Sequence, residues 1–351
     1  MRDGRSGAGI TVSTGRTAHF ESTAGHAARA ATSRRAFLAD VGSCAAHLAI
    51  AATFAPSIVR AAWIAPAYGS VVVREPWGRL EAVADGVWAL ISDPLSGDRT
   101  TLANGGIIAG RNGVMVIEGL FTAHGARWLA SQARQLTGRW PTHVVLTHYH
   151  ADHANGVSGY IADGFPTRVF TTAATKEQVL TKNTPAVDSR TAALRDVTVL
   201  SASQETVVDL GGRRVRIVPR AGHTSSDVSI ELDDPSLVFT GDLVWNGMIP
   251  NFVDAMPTEL ARQVRALQRA RSTVYVPGHG AVADAAAVDR YLLVLGELET
   301  AARAAFAKGT PAADAGKAFR LPASLGEWAL FGPTFYERTF VAWNRELGAA
   351  R

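Results

Sequence analysis

With 351 residues, 47% apolar and 19% charged, the chain is long enough for one large domain or two small ones and can bury a core. That balance excludes disordered, collagenous and coiled-coil chains. The formal charge of +4 lies wholly in residues 1–60, where Arg2, Arg5, Arg16, Arg29, Arg34, Arg35 and Arg60 face only Asp3, Glu21 and Asp40. The remainder is formally neutral and offers no basic groove for nucleic acid.

Residues 1–61 read as a tail and an address. Thr32-Ser33-Arg34-Arg35-Ala36-Phe37-Leu38 carries a twin-arginine signature ahead of a weakly apolar run from Val41 to Ala55, and Val59-Arg60-Ala61 supplies small residues for cleavage. The run is too short and too weakly apolar for a membrane span. The expectation is a Tat-type export signal, the Tat machinery as partner, a periplasmic or secreted mature protein, and no membrane insertion once the signal is removed. The only cysteine, Cys44, falls in this stretch, so the body can form neither a disulfide nor a thiolate metal site.

From Trp77 the pattern predicts strands and then alternating elements. Val83–Ile91 alternates in part; Gly105–Ala109 and Val114–Ile117 flank a turn at Arg111-Asn112-Gly113 that suits a hairpin. Helical spacing follows over Gly125–Leu136, with Trp128, Leu129, Ala133 and Leu136 along one face. His143–Leu146 is a short apolar strand running into a histidine-rich loop. Val169–Thr171, helix Ala173–Leu180 and Val197–Leu200 come next, then a ladder of β-rich runs at Val207–Leu210, Val215–Val218, Val228–Leu232 and Leu237–Thr240. Thr258 is expected to cap a helix through Arg271, followed by strand Val274–Val276, helix Asp284–Leu298 and a helical, aromatic-rich tail. No repeat divides the chain, which reads as a domain over 77–285 and a helical extension over 286–351.

Seven histidines lie beyond residue 61, and five of them sit where a strand meets a loop. His124 and His143 read as ordinary structural residues. Thr147-His148-Tyr149-His150-Ala151-Asp152-His153 leaves an apolar strand, and such a loop can turn His148 and His150 to one metal and Asp152 and His153 to a second. Imidazole and carboxylate suit Zn2+. His223 in Gly222-His223-Thr224, Asp242 in Gly241-Asp242 and His279 in Pro277-Gly278-His279-Gly280 each close a β-run beside a glycine, which lets backbone approach closely.

In this order the motifs resemble the metallo-β-lactamase-fold superfamily of metallohydrolases. The resemblance implies an α/β fold, the αββα four-layer sandwich, here with a C-terminal helical extension. It also implies that His148, His150 and His223 hold one metal, that Asp152, His153 and His279 hold a second, and that Asp242 bridges both. Two Zn2+ per chain are the implied cofactors, with iron or manganese as alternatives. Glu118 stands where the family usually has Asp, which touches only a contact behind the ligands. The tail segment Trp343-Asn344-Arg345-Glu346-Leu347 looks most like the exported quinoprotein-relay and sulfur-oxidation-associated group.

The implied activity is hydrolysis of a small-molecule ester, thioester or lactam by metal-activated hydroxide, with Asp152 orienting it and carrying a proton. Tyr149, Asn155, Trp245, Asn246 and Phe252 are the candidate substrate-binding residues. Three alternatives stand beside this reading. A β-lactamase proper is disfavoured because its best-known subclasses carry Cys or Ser in place of Asp242. A mononuclear-iron sulfur dioxygenase is disfavoured by the complete second set, and a non-catalytic metal- or cofactor-binding accessory protein by the full donor complement.

Overall fold

The computed structural model describes residues 68–162 and 164–349, so the twin-arginine segment lies outside the described residues. The first sheet is built from β1 (Ser70–Glu75), β2 (Gly78–Ala84), β3 (Val87–Ser92), β4 (Gly105–Ala109), β5 (Val114–Ile117), β6 (His143–Val145), β7 (Arg168–Thr172) and β8 (Thr198–Leu200), in that spatial order. Its first five strands are antiparallel; β5 to β8 are parallel. The second sheet has the order β13-β12-β11-β10-β9, from β9 (Thr206–Asp209), β10 (Arg214–Arg220), β11 (Asp227–Leu232), β12 (Leu237–Asn246) and β13 (Val274–Gly280). Only β12 and β13 pair in parallel there.

Period-two alternation sends successive side chains to opposite faces and so creates the layers. Ile108, Met115, Ile117 and Val145 of the first sheet meet Val215, Ile217, Ile230 and Phe239 of the second in a core between the sheets. Their chain neighbours Ile107, Val114, Val116 and Val144 face the other way and pack under α1 (Ala123–Thr137) through Leu129, Ala130 and Ala133. Thr122 caps α1 by accepting from the Gly125 amide at 3.0 Å, and Gly138 ends it in the left-handed region at φ 73°. Short helices α2 (Ala151–Ala154), α3 (Ala173–Lys182) and α4 (Asp188–Ala193) follow in the parallel half of the sheet.

The outer face of the second sheet is covered by α5 (Pro257–Leu267), α6 (Ala285–Ala307) and the start of α8 (Phe335–Ala349), while α7 (Ala312–Ala318) packs on α6 and α8. Leu260, Val264, Tyr291, Val294, Phe331 and Phe335 bury Val238, Leu243 and Trp245 from that side. The result is the αββα sandwich with C-terminal helices that the motifs imply. Among the described residues, no helix is long and apolar enough to cross a membrane.

Several boundaries differ from the sequence reading. Val83–Ile91 is two strands, because Asp85 and Gly86 turn the chain so that Ala84 pairs with Val87. Thr258 is not the cap of α5: Met256 occupies that position, and Pro257 starts the helix where its missing amide costs no hydrogen bond. The Thr258 hydroxyl donates instead to Glu346 of α8, and α5 ends at Leu267 rather than Arg271. Helix α6 runs on to Ala307. β12 and β13 extend past Asp242 and His279, whose positions therefore lie inside paired strands and not beyond them. Their pairing is irregular around Gly241, which sits at φ 51°.

Candidate metal centre

The loop after β6 delivers His148 and His150, and α2 delivers Asp152 and His153, from the side of the first sheet. The second sheet delivers His223 from the β10–β11 turn, Asp242 from β12 and His279 from β13. The structure brings all seven together. His150 Nδ1 lies 3.1 Å from His148 Nε2 and 2.9 Å from His223 Nε2. Asp242 Oδ2 closes this group at 3.2 Å from His223 Nε2 and 3.8 Å from His148 Nε2. On the other side, Asp242 Oδ1 is 3.1 Å from His153 Nε2 and 3.4 Å from His279 Nε2, while Asp152 Oδ2 is 3.3 Å from His279 Nε2. The two oxygens of one carboxylate thus face two separate donor groups.

These spacings fit a metal better than they fit one another. Donors about 2.0–2.1 Å from a tetrahedral zinc stand about 3.3 Å apart, close to what is found here. Asp242 Oδ1 is buried and accepts no hydrogen bond of normal geometry, although two ring nitrogens approach it. A cation would satisfy it.

The ring nitrogens facing away from the centre explain which ones face in. His153 Nδ1 is 2.9 Å from Glu118 Oε1, and His148 Nδ1 is 2.9 Å from Thr147 Oγ1, whose own proton goes to Glu118. Glu118, longer than the usual Asp, therefore braces two rings at once and also accepts from the Thr147 amide. Its backbone is held at φ 75°, a conformation rare outside glycine, by its amide bond to Val145 O and by the Tyr160 hydroxyl on its carbonyl. Outer partners of this kind fix tautomer and ring orientation in metal sites.

Electrostatics sort the seven groups. Burial holds His148 well below the ordinary imidazole value and takes His223 down to about 3, so both rings keep their lone pairs. Burial works against ionisation of Asp152, but His153 and His279 win and hold it at about 2. Asp242 is likewise kept well below its ordinary value, against burial, by His153, His279 and His223. His153 and His279 are raised despite burial, chiefly by Asp242. Metal capture by such a set is coupled to proton release from those rings. Asp152, at 13% side-chain exposure, is the most open of the groups around Asp242.

The candidate substrate residues scatter. Tyr149 is buried beside the centre, and its hydroxyl donates to Asp254. The Asn155 side-chain Oδ1 accepts from Arg190 at 2.8 Å. Trp245 lies over His279 with ring centroids 4.1 Å apart and is walled by Phe331 at 5.5 Å. Asn246 donates to Ala281 O, and Phe252 is 2% exposed within the core under the C-terminal helices. The structure thus occupies Asn155, Asn246 and Phe252 with protein contacts, and it brings Tyr149 and Trp245 to the centre.

Four supporting residues escape a reading by sequence. Asp254 Oδ2 stands 3.0 Å from His150 Nε2. Asp227 accepts from the His223 and Thr224 amides at 3.0 Å each; an acid four residues after a histidine in a Gly/Ser/Thr turn is the local signal that marks it. Asn104 donates to Pro277 O and Gly280 O at 2.9 and 2.7 Å, tying the strand of His279 to the first sheet across 173 residues or more of chain. Arg190 reaches Asn183 O and Pro185 O and secures the segment beside Tyr149. Nothing local marks Asn104, Arg190 or Asp254.

Comparison with known proteins agrees with this geometry. The family model described as the metallo-beta-lactamase superfamily matches residues 99–279, just over half of the chain. A hydroxyacylglutathione hydrolase from Parasynechococcus marenigrum is 26% identical over 146 residues, 40% of this chain and 50% of that one. Another from Mesorhizobium japonicum is 25% identical over 145 residues, 41% and 50%. The match therefore spans half the length of these curated relatives. Among solved structures, a stereoselective inverting sec-alkylsulfatase from Pseudomonas sp. superposes with TM-score 0.62 at 18% identity, over 77% of this chain and 50% of that one. A metallo-beta-lactamase from Pontibacter korlensis gives 0.51 at 22% identity, over 62% and 99%. Both are likenesses of fold.

Proposed function

Because this chain belongs to the metallo-beta-lactamase superfamily, we propose that it is an exported dinuclear zinc hydrolase of a small-molecule ester or thioester. The observation that carries the reading is the orientation of Asp242, whose Oδ2 faces His148 and His223 and whose Oδ1 faces His153 and His279. His148, His150, His223 and Asp242 would hold one ion; Asp152, His153, His279 and Asp242 would hold the other. When bound, zinc polarises a substrate oxygen and brings the pKa of a coordinated water toward about 7. The chain's own residues do the rest. Asp152, held ionised by His153 and His279, keeps Oδ2 toward those rings and would take a proton on its other carboxylate oxygen and pass it to the leaving group. Trp245 and Phe331 cover His279 from the C-terminal side and exclude water there.

A thioester is favoured over a lactam on two grounds. The curated relatives hydrolyse hydroxyacylglutathione, and Asp rather than Cys or Ser stands at position 242. Export rests on the Arg34-Arg35 signature, and kinship with the exported quinoprotein-relay group on the Trp343–Leu347 segment. The test is metal content together with turnover of acyl-thioester, ester, lactam and sulfate-ester substrates by native, chelated, zinc-restored and His223→Ala protein. About two zinc ions per chain and turnover only in native and restored protein are expected. Equal rates in all four samples would refute metal catalysis. One iron per chain with oxygen uptake would replace hydrolysis by sulfur dioxygenation.

A further inference from the structure

We propose that Asp254 is a positioning residue for His150 and that the C-terminal helix α8 holds it in place. His150 has two ring nitrogens with different duties. Nδ1 points inward, 2.9–3.1 Å from the Nε2 atoms of His223 and His148. Nε2 points outward and lies 3.0 Å from Asp254 Oδ2. A carboxylate there accepts the Nε2 proton, leaves the Nδ1 lone pair for a metal, and fixes the ring about its two side-chain torsions. The same Asp254 oxygen accepts the Tyr149 hydroxyl. Lys182 completes the surroundings, with Nζ 4.6 Å from the centre of the Tyr149 ring and 3.4 Å from its hydroxyl.

Asp254 sits in the irregular segment between β12 and α5, where no sheet or helix ladder fixes it. The segment is instead gripped from α8, which belongs to the region beyond the family match. Arg345 spans Asp254 by donating to both flanking carbonyls, Ala255 O at 2.6 Å and Val253 O at 3.4 Å. Arg338 donates to Asn251 Oδ1 at 3.0 Å, and that same oxygen accepts the Val253 amide at 3.2 Å. A continuous chain of hydrogen bonds therefore runs from α8 through the 251–255 segment to one nitrogen of one histidine. Its companions are braced differently: His148 and His153 lean on Glu118 from within the first sheet.

The inference rests on the metal reading of His150, and the experiment separates the two. Zinc affinity is measured by competition with a chromophoric chelator on the full chain carrying Asp254→Ala, Asp254→Asn, Arg345→Met or His150→Ala. The visible spectrum of each cobalt-loaded protein and the melting temperature of each metal-free protein accompany it. Removal of a group that supports a ligand costs about 10- to 100-fold in metal affinity. Asp254→Ala is expected to lose that much for one of the two ions and to alter the cobalt spectrum. The metal-free melting temperature should stay unchanged. Asp254→Asn, which retains an acceptor, should lose less, and Arg345→Met should reproduce part of the loss. Wild-type affinities and spectrum in Asp254→Ala, with His150→Ala impaired, would overturn the positioning role alone. Unchanged affinity in His150→Ala would overturn the metal reading beneath it. Equal loss for both ions with a lowered metal-free melting temperature would reduce Asp254 to support of the fold and overturn the inference. A normal Arg345→Met beside an impaired Asp254→Ala would remove α8 from it.

Discussion

Replacing Gly278 by alanine tests the centre through a single methyl group. Gly278 precedes His279 on β13, and its φ lies outside the left-handed region, so alanine meets no backbone strain there. The obstacle is space. A Cβ built on Gly278 would stand 1.9 Å from Asp242 Oδ1, 2.8 Å from the Gly241 carbonyl carbon and 2.9 Å from the Asp242 amide nitrogen. Ordinary nonbonded contact is about 3.5 Å, so the carboxylate must retreat by at least about 1 Å or the two strands must part. Asp242 is fully enclosed and has little room to swing, which makes loss of its Oδ1 contacts with His153 and His279 the expected outcome. Misplacement of a reacting group by about 1 Å costs roughly 100-fold in rate, and overpacking costs about 1–3 kcal/mol of stability. The variant should therefore lose kcat/KM on that scale, drop part of its metal on dialysis and melt a few degrees lower. Gly110→Ala provides the control: its Cβ would meet Leu210 O at 2.2 Å, away from the centre, so it should lower the melting temperature and leave metal content alone. A Gly278→Ala protein with native metal content and turnover would show that the Asp242 carboxylate is not confined as described.

Glu231→Gln examines the polar knot that fastens β11 to the start of the α5–β13 connection. Glu231 is 2% exposed and paired with Arg220 at 2.8 Å, Arg216 at 3.6 Å and Arg269. Burial opposes its ionisation, but Ser229 and Arg220 outweigh it and depress its pKa below 4.5. Its contribution is thus fully present above pH 4.5 and lost as the pH falls through the depressed value. The variant should be roughly 3 kcal/mol less stable by urea titration at pH 7, with the gap closing in acid; a gap that is constant with pH would refute the assignment. For export, changing Arg34 and Arg35 both to lysine should strand the precursor in the cytoplasm, as fractionation and immunoblotting would show, and normal secretion of that variant would remove the twin-arginine reading.

The sequence is legible where chemistry and local geometry coincide. The His148–His153 cluster announces itself because a short strand, buried at Val144 and Val145, ends in a segment crowded with donors. The β4–β5 hairpin is equally plain, since Arg111-Asn112-Gly113 can only turn. Asp242 and His279 are found for their residue types, yet the strands around them are read too short. β12 and β13 support each other through parallel pairing between positions such as Trp245 and His279, and no window of sequence contains both. Asp254 and Asn104 are silent for the same reason. Their partners lie 104 residues away, in the case of His150, and 173 or more, in the case of Pro277 and Gly280. Supports of this kind, unlike the donors, are recognisable from sequence only when the partner is a neighbour in the chain, as Asp227 is to His223.

The centre belongs to neither sheet. His148, His150, Asp152 and His153 follow β6, whereas His223, Asp242 and His279 come from the second sheet, and Phe239 against Ile108 and Met115 in the inter-sheet core sets the distance between the two sources. Neither proposed ion takes its donors from one half alone: His148 and His150 need His223 and Asp242 to complete their group, and Asp152 and His153 need His279. High affinity therefore exists only after the sheets have docked, and a bound ion adds its binding free energy to that docking, since the unfolded chain offers no preformed set. The consequence reaches the proposed export route. Twin-arginine transport carries chains that are already folded, so the sheets could dock and the ions enter before the membrane is crossed. A chain threaded unfolded would have to find both ions afterwards, with His148 and His279 brought together across more than a hundred residues.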